Sequence, residues 1–164
     1  MTVDAVEEPF RTQLTVRLRD GHALLGADLP EPCTFTSRNG VDVLWMGPDE
    51  YLVLAEPGRQ AELETALREA GAAAVVDVSA QRVTVRLTGA HARDVLAHGC
   101  SIDLDPAVSP PGTCVQTLLV RTGIILMVRE EGFTILVRQS FAGYFTTWLA
   151  DASLEYQEVP WPSR

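Results

Sequence analysis

The chain has no lysine: all thirteen basic residues among its 164 are arginine. A Schiff-base nucleophile of the pyridoxal or aldolase kind and the lysine of a phosphate-binding P-loop are therefore excluded. Cysteine is scarce, and three thiols cannot all pair within one chain, so no disulfide framework is expected. No two glycines are separated by a single residue, which removes the G-x-G-x-x-G turn that lets backbone approach a pyrophosphate. Ser79, Ser101 and Ser140 lack the G-x-S-x-G elbow of a hydrolase nucleophile. Long apolar runs are missing too: Ile124 to Val128 falls far short of the roughly 20 residues that cross a bilayer. The acidic start "MTVDAVEEPF" has no basic region leading an apolar stretch, so no secretory signal and a cytoplasmic location are expected. A net charge of −9 with singly scattered arginines argues against nucleic acid as a partner, and no membrane contact is expected either.

What is present is a globular composition, 46% hydrophobic and 21% charged, enough to bury a core without metal or disulfide. One domain over 1–164 is expected, with 1–12 and 153–164 as tails. "QLTVRLR" (13–19) alternates as a half-buried strand does. "VDVLWM" and "EYLVLA" flank Gly47-Pro48-Asp49 as an antiparallel hairpin. "GRQAELETALREAGA" switches to helical spacing through Leu63 and Leu67 and stops at Gly71. "AAVVDVS" and "RVTVRL" read as two more strands, and Thr88 as the cap of a helix over "GAHARDVLAHG". Pro111-Gly112 suits a type II turn leading into "CVQTLLV", after which come "GIILMVR", "FTILVR" and a helix "FAGYFTTWLADA" capped by Ser140. This order, β, ββα, ββα, βββα, predicts an α+β fold of antiparallel sheets in hairpin-plus-helix units, with a pseudo-duplicated core.

The stretch "HGCSIDLDPAVSPPGTC" (98–114) concentrates chemistry-bearing residues: His98, Cys100, Asp103, Asp105 and Cys114. Zinc draws its ligands from short paired spacings such as C-x2-C, and a single long Cys-to-Cys gap beside one histidine does not supply them. A structural connector is expected, with Cys100 and Cys114 as small apolar groups. An oxidisable thiol pair is the alternative. His22 and His91 read as exposed turn and helix-end residues. The aromatics Trp45, Tyr51, Phe141, Tyr144, Phe145 and Trp148 fit a core, a pocket for a flat ligand, or, for Tyr144 and Trp148 at i and i+4, a protein interface. No residue is assigned as catalytic, cofactor-binding or metal-binding.

Four stretches taken in order are more specific than any one: "LWMGPDEYLVL" (44–54), "VDVSAQRVTVRLTGAHARDVLAHGCSIDLDP" (76–106), "PPGTCVQTLLV" (110–120) and "VRQSFAGYFTTWL" (137–149). Together they resemble the gamma subunit of heterotetrameric sarcosine oxidase over most of residues 41–150. The resemblance implies a cofactor-free, non-catalytic accessory subunit of an oxidoreductase complex that demethylates sarcosine to glycine and formaldehyde, releasing hydrogen peroxide and passing the one-carbon unit to tetrahydrofolate. It implies alpha, beta and delta partners carrying FAD, FMN, NAD and tetrahydrofolate, with zinc on delta. It also implies a fold related to the folate-binding domain of the glycine-cleavage aminomethyltransferase. That related family's K-G-C-Y-x-G-Q-E motif needs a lysine this chain lacks, so folate binding by this chain alone is not expected. The alternative is a stand-alone folate-binding, aminomethyltransferase-like protein.

Overall fold

The computed structural model describes residues 3–157. Its strands are β1 (Asp4–Glu7), β2 (Thr12–Arg17), β3 (Ala23–Leu24), β4 (Ala27–Asp28), β5 (Phe35–Arg38), β6 (Val41–Gly47), β7 (Glu50–Ala55), β8 (Ala74–Asp77), β9 (Arg82–Thr88), β10 (Cys114–Leu119), β11 (Thr122–Val128) and β12 (Phe133–Arg138). The helices are α1 (Gln60–Glu69), α2 (Ala92–Ala97) and α3 (Ala142–Ser153). Two antiparallel five-stranded sheets result, ordered β5-β6-β7-β2-β8 and β1-β9-β12-β11-β10.

The two orders are the same pattern twice. β5-β6-β7-β2 in the first sheet matches β10-β11-β12-β9 in the second, and each set leads into a helix, α1 or α3. The fifth place is filled by β8 beside β2 and by β1 beside β9. The stretch 1–12, expected as a tail, thus supplies a strand: Asp4 to Glu7 pair with Thr88 to Val85 and give β9 a neighbour along its open edge. The other expected tail, 153–164, begins at the last residue of α3 and continues as a 3-10 turn, Leu154–Tyr156; residues 158–164 lie outside the described residues.

Side-chain alternation explains why the strands read as continuous apolar runs. In β7, Tyr51, Val53 and Ala55 face the layer holding Leu63 and Leu67 of α1, while Leu52 and Leu54 face the second sheet. In β11, Ile124, Leu126 and Val128 face Phe145 and Leu149 of α3, while Ile125 and Met127 face the first sheet. The layers therefore run α1, sheet, sheet, α2 with α3. β2, expected to be half buried, is covered on both faces along most of its length, because a sheet between two layers has no solvated side. Between the sheets lie Leu44, Leu52, Leu54, Cys114, Ile125, Met127 and Leu136. Beside them Arg129 grips Asp42 in two contacts of 2.6 and 3.2 Å, joining the sheets by a bidentate ion pair.

Where the two halves meet, backbone bonds are exchanged symmetrically. Phe35 N–H donates to the Gly112 carbonyl at 3.0 Å, and Cys114 N–H donates to the Cys33 carbonyl at 2.8 Å, around a bridge between Thr34 and Thr113. Each threonine closes a like turn: its N–H and its hydroxyl both donate to the carbonyl three residues back, Glu31 in one half and Pro110 in the other. Pro111-Gly112 forms the turn as expected, with Gly112 at φ 96°. The equivalent position in the first half is Cys33, a β-carbon-bearing residue at φ 62°. The two expected side-chain caps are not made. Thr88 remains inside β9 and α2 starts after His91, while Ser140 sits within a 3-10 turn, Gln139–Phe141, that continues β12 through a Gln139 N–H bond to the Gln81 carbonyl.

The turn geometry makes two opposite expectations. Cys33→Gly raises the unfolding free energy by about 1 kcal/mol, because the left-handed conformation no longer carries a β-carbon penalty. Gly112→Ala lowers it by about the same amount, and urea titration of both variants measures the difference.

Candidate functional site

The structure disperses the cluster that looked most like chemistry. His98 ends α2, and its Nε2 lies 2.9 Å from the Tyr156 hydroxyl. Cys100 packs against the α2 and α3 core and bridges to Leu119. Asp103 and Asp105 serve their own turn: Asp103 Oδ1 accepts from Asp105 N–H at 2.9 Å, Asp105 Oδ1 accepts from Ala107 N–H at 2.8 Å, and the Ser109 hydroxyl donates to the Asp103 carbonyl. Cys114 lies between the sheets at 1% exposure. Among the described residues no three His, Cys, Asp or Glu side chains gather closely enough to hold a metal ion.

The segment is nevertheless tightly specified. A β-carbon at Gly99 would stand 2.6 Å from Val120 Cγ2 and 3.0 Å from Trp148 Cζ2, so only glycine lets the end of α2 meet β10 and α3 this closely. Val120 N–H donates to the Gly99 carbonyl at 2.8 Å at that contact. Here the H-G-C run holds three elements together.

The aromatics divide in the same way. Tyr51 and Phe145 are buried on opposite sides of the molecule, with Trp45 and Trp148 partly buried against the same two clusters. Phe141 and Tyr144 are each 44% exposed, and Tyr144, Thr147, Trp148 and Asp151 edge a shallow cleft on the outer face of α3. His22 is exposed in its turn as expected, whereas His91 is half-buried, stacking on Tyr156 at 4.9 Å and holding Asp94 at 2.7 Å.

Sequence reasoning paired Cys100 with Cys114, whereas the fold brings Cys33 to Cys114. The Cys33 carbonyl accepts the Cys114 N–H, and Cys33 itself is exposed. Burial pushes the Cys114 thiol up to about 12, against a small opposing pull from Arg129. A thiol held protonated at neutral pH is a poor nucleophile and a poor metal ligand.

Polar side chains committed to turns, together with apolar layers on both faces of each sheet, define an α+β protein of duplicated two-sheet architecture. The sarcosine oxidase gamma subunit family model matches residues 16–155. Sarcosine oxidase subunit gamma of Corynebacterium sp. (strain P-1) is 34% identical over 171 residues, covering 97% of this chain and 84% of that protein. The subunit of the same name from Corynebacterium sp. (strain U-96) is 36% identical over 163 residues, covering 92% and 78%. A chain of the heterotetrameric sarcosine oxidase from Corynebacterium sp. U-96, in complex with pyrrole 2-carboxylate, superposes with a TM-score of 0.78 at 32% identity, over 96% of this chain and 87% of that one. The chain belongs to the sarcosine oxidase gamma subunit family.

The three thiols provide a direct check on the geometry. Iodoacetamide at pH 8 labels Cys33 in the folded chain and leaves Cys114 unmodified, as peptide mass spectrometry reads it. Because the folded thiol ionises near 12 and the unfolded one near its ordinary 9.0, burial of Cys114 stabilises the fold fully below pH 9. That contribution declines as pH rises from 9 toward 12, since only the unfolded state then gives up its proton.

Proposed function

We propose that this chain is the accessory gamma subunit of a heterotetrameric sarcosine oxidase, which oxidatively demethylates sarcosine to glycine with tetrahydrofolate as one-carbon acceptor. The observation that carries this reading is the 0.78 TM-score to a chain of such a heterotetramer across 96% of the present chain. The partners are the alpha, beta and delta subunits. FAD, FMN, NAD and tetrahydrofolate belong to those partners, as zinc does to delta, and this chain contributes no catalytic, cofactor-binding or metal-binding residue. It works as a single unit over 1–164 in the cytoplasm. Among the described residues no helix is long and apolar enough to cross a membrane. The duplicated antiparallel core is also the reason to relate the fold to the folate-binding domain of the aminomethyltransferase.

The arrangement supports a structural contribution. Asp103 and Asp105, which could have served as acid or base, accept backbone N–H groups within their own turn. The Cys114 thiol is sealed between the sheets. Such a chain acts by presenting a surface of fixed shape to its neighbours.

Size-exclusion chromatography of this chain co-expressed with the large subunits of a sarcosine oxidase, recorded at protein and flavin wavelengths, tests the reading. Co-elution with the flavin peak is expected. Elution as a separate, colourless species would overturn it.

A further inference from the structure

Two arginines stand directly opposite each other in the second sheet. Arg82 opens β9 and Arg138 closes β12, and the two are register partners in the antiparallel ladder. Like charges at directly opposed positions repel, whereas an opposite charge there would stabilise the pairing. Neither guanidinium has a hydrogen-bond or ion-pair partner among the described residues, although six other arginines in this acidic chain do. The carboxylate whose field reaches Arg82 is Glu50, at the start of β7 in the facing sheet, and it is already engaged by Arg17 at 2.8 Å. Arg82 is half-buried, and burial followed by the Arg138 charge lowers its pKa. The pair is therefore an unneutralised positive spot on a chain of net charge −9.

Its surroundings have the composition of an interface centre. Arg138 follows Leu136 on the face of β12 that meets the first sheet, so the pair lies at the edge between the two sheets, on the other side of β12 from α3. The Gln139 N–H donates to the Gln81 carbonyl, tying this strand end to the loop 77–81, against which Phe10 lies 59% exposed. Exposed aromatics beside arginine are the residues that carry binding energy between proteins, and a guanidinium fork fits a carboxylate in two parallel bonds.

We propose that the Arg82 and Arg138 pair, at the edge between the two sheets, is a docking point for a carboxylate-bearing segment of a partner subunit, with Phe10 packing beside it. The inference rests on the reading of this chain as one subunit of an assembly. A partner carboxylate removes the repulsion that the free chain carries. The pair is thus mildly unfavourable alone and favourable once docked.

The opposite signs in the two states make the test. Arg138→Gln and Arg82→Gln are compared with Arg68→Gln, which removes the same charge from the outer helix α1. For each, the Tm of the free chain and its affinity for the co-purified partner subunits are measured at low and at physiological salt. Arg138→Gln and Arg82→Gln are both expected to keep or raise the Tm while weakening association by about tenfold or more. Their residual binding is expected to lose much of the salt sensitivity that the native chain and Arg68→Gln retain. Arg138→Lys, which keeps the charge but not the fork, is expected to fall between. Native-like affinity of both Gln variants, in a preparation where the unaltered chain does associate, would overturn the docking point and leave the subunit reading standing. Failure of the unaltered chain to associate at all would overturn both.

Discussion

The structure depends on the apolar layer between its two sheets. Leu44, Leu52 and Leu54 from one sheet meet Cys114, Ile125, Met127 and Leu136 from the other, and six of the seven are 1% exposed or less. A sheet that buries one face in that layer must cover the other face as well, and helices α1 and α3 do so. The continuous apolar strands, the placement of the helices and the double-sided burial of β2 follow from this requirement. The backbone exchange around Thr34 and Thr113 fixes the angle at which the halves meet, and the Asp42 to Arg129 ion pair holds them where the apolar layer gives way to polar groups. Removing either member of that pair would leave a largely desolvated charge, a change that typically costs about 3 kcal/mol or more.

Local signals were legible and non-local ones were not. The β6 to β7 hairpin, helix α1 with its end at Gly71, the run β9 to β12 and helix α3 all appear close to their expected places, because periodicity and turn residues act within a few positions. β5 was missed although Asn39-Gly40, both at positive φ, is a strong hairpin signal. β1 was read as a tail because "DAVE" has no apolar face of its own; what orders it is the open edge of β9, far along the chain. The joint between the halves was equally hidden, since Cys33 gives no hint of sharing a conformation with Gly112.

The same distinction governs the site. His98, Cys100, Asp103, Asp105 and Cys114 are neighbours in sequence, but a helix end, a turn and an inter-sheet layer separate them in space. Arg82 and Arg138 are distant in sequence, and the β9 to β12 register makes them neighbours. Sequence reading names Tyr144 and Trp148 as interface residues but does not reveal the charge pair, which only the strand register creates. Several signature residues turn out to hold junctions: Gly99 seats α2 on β10, and Ser79 receives the Gln13 N–H while bonding Asp77. A family signature made of such positions specifies a shape, as expected of a subunit that contributes by fitting its neighbours.

The most direct measurement is sarcosine turnover, followed as hydrogen peroxide release, by the purified chain alone and by the same chain assembled with its partner subunits. No turnover is expected from the chain alone and full activity from the assembly. Turnover by the isolated chain would contradict a non-catalytic role, because it would require a reactive centre that the residues named here do not form.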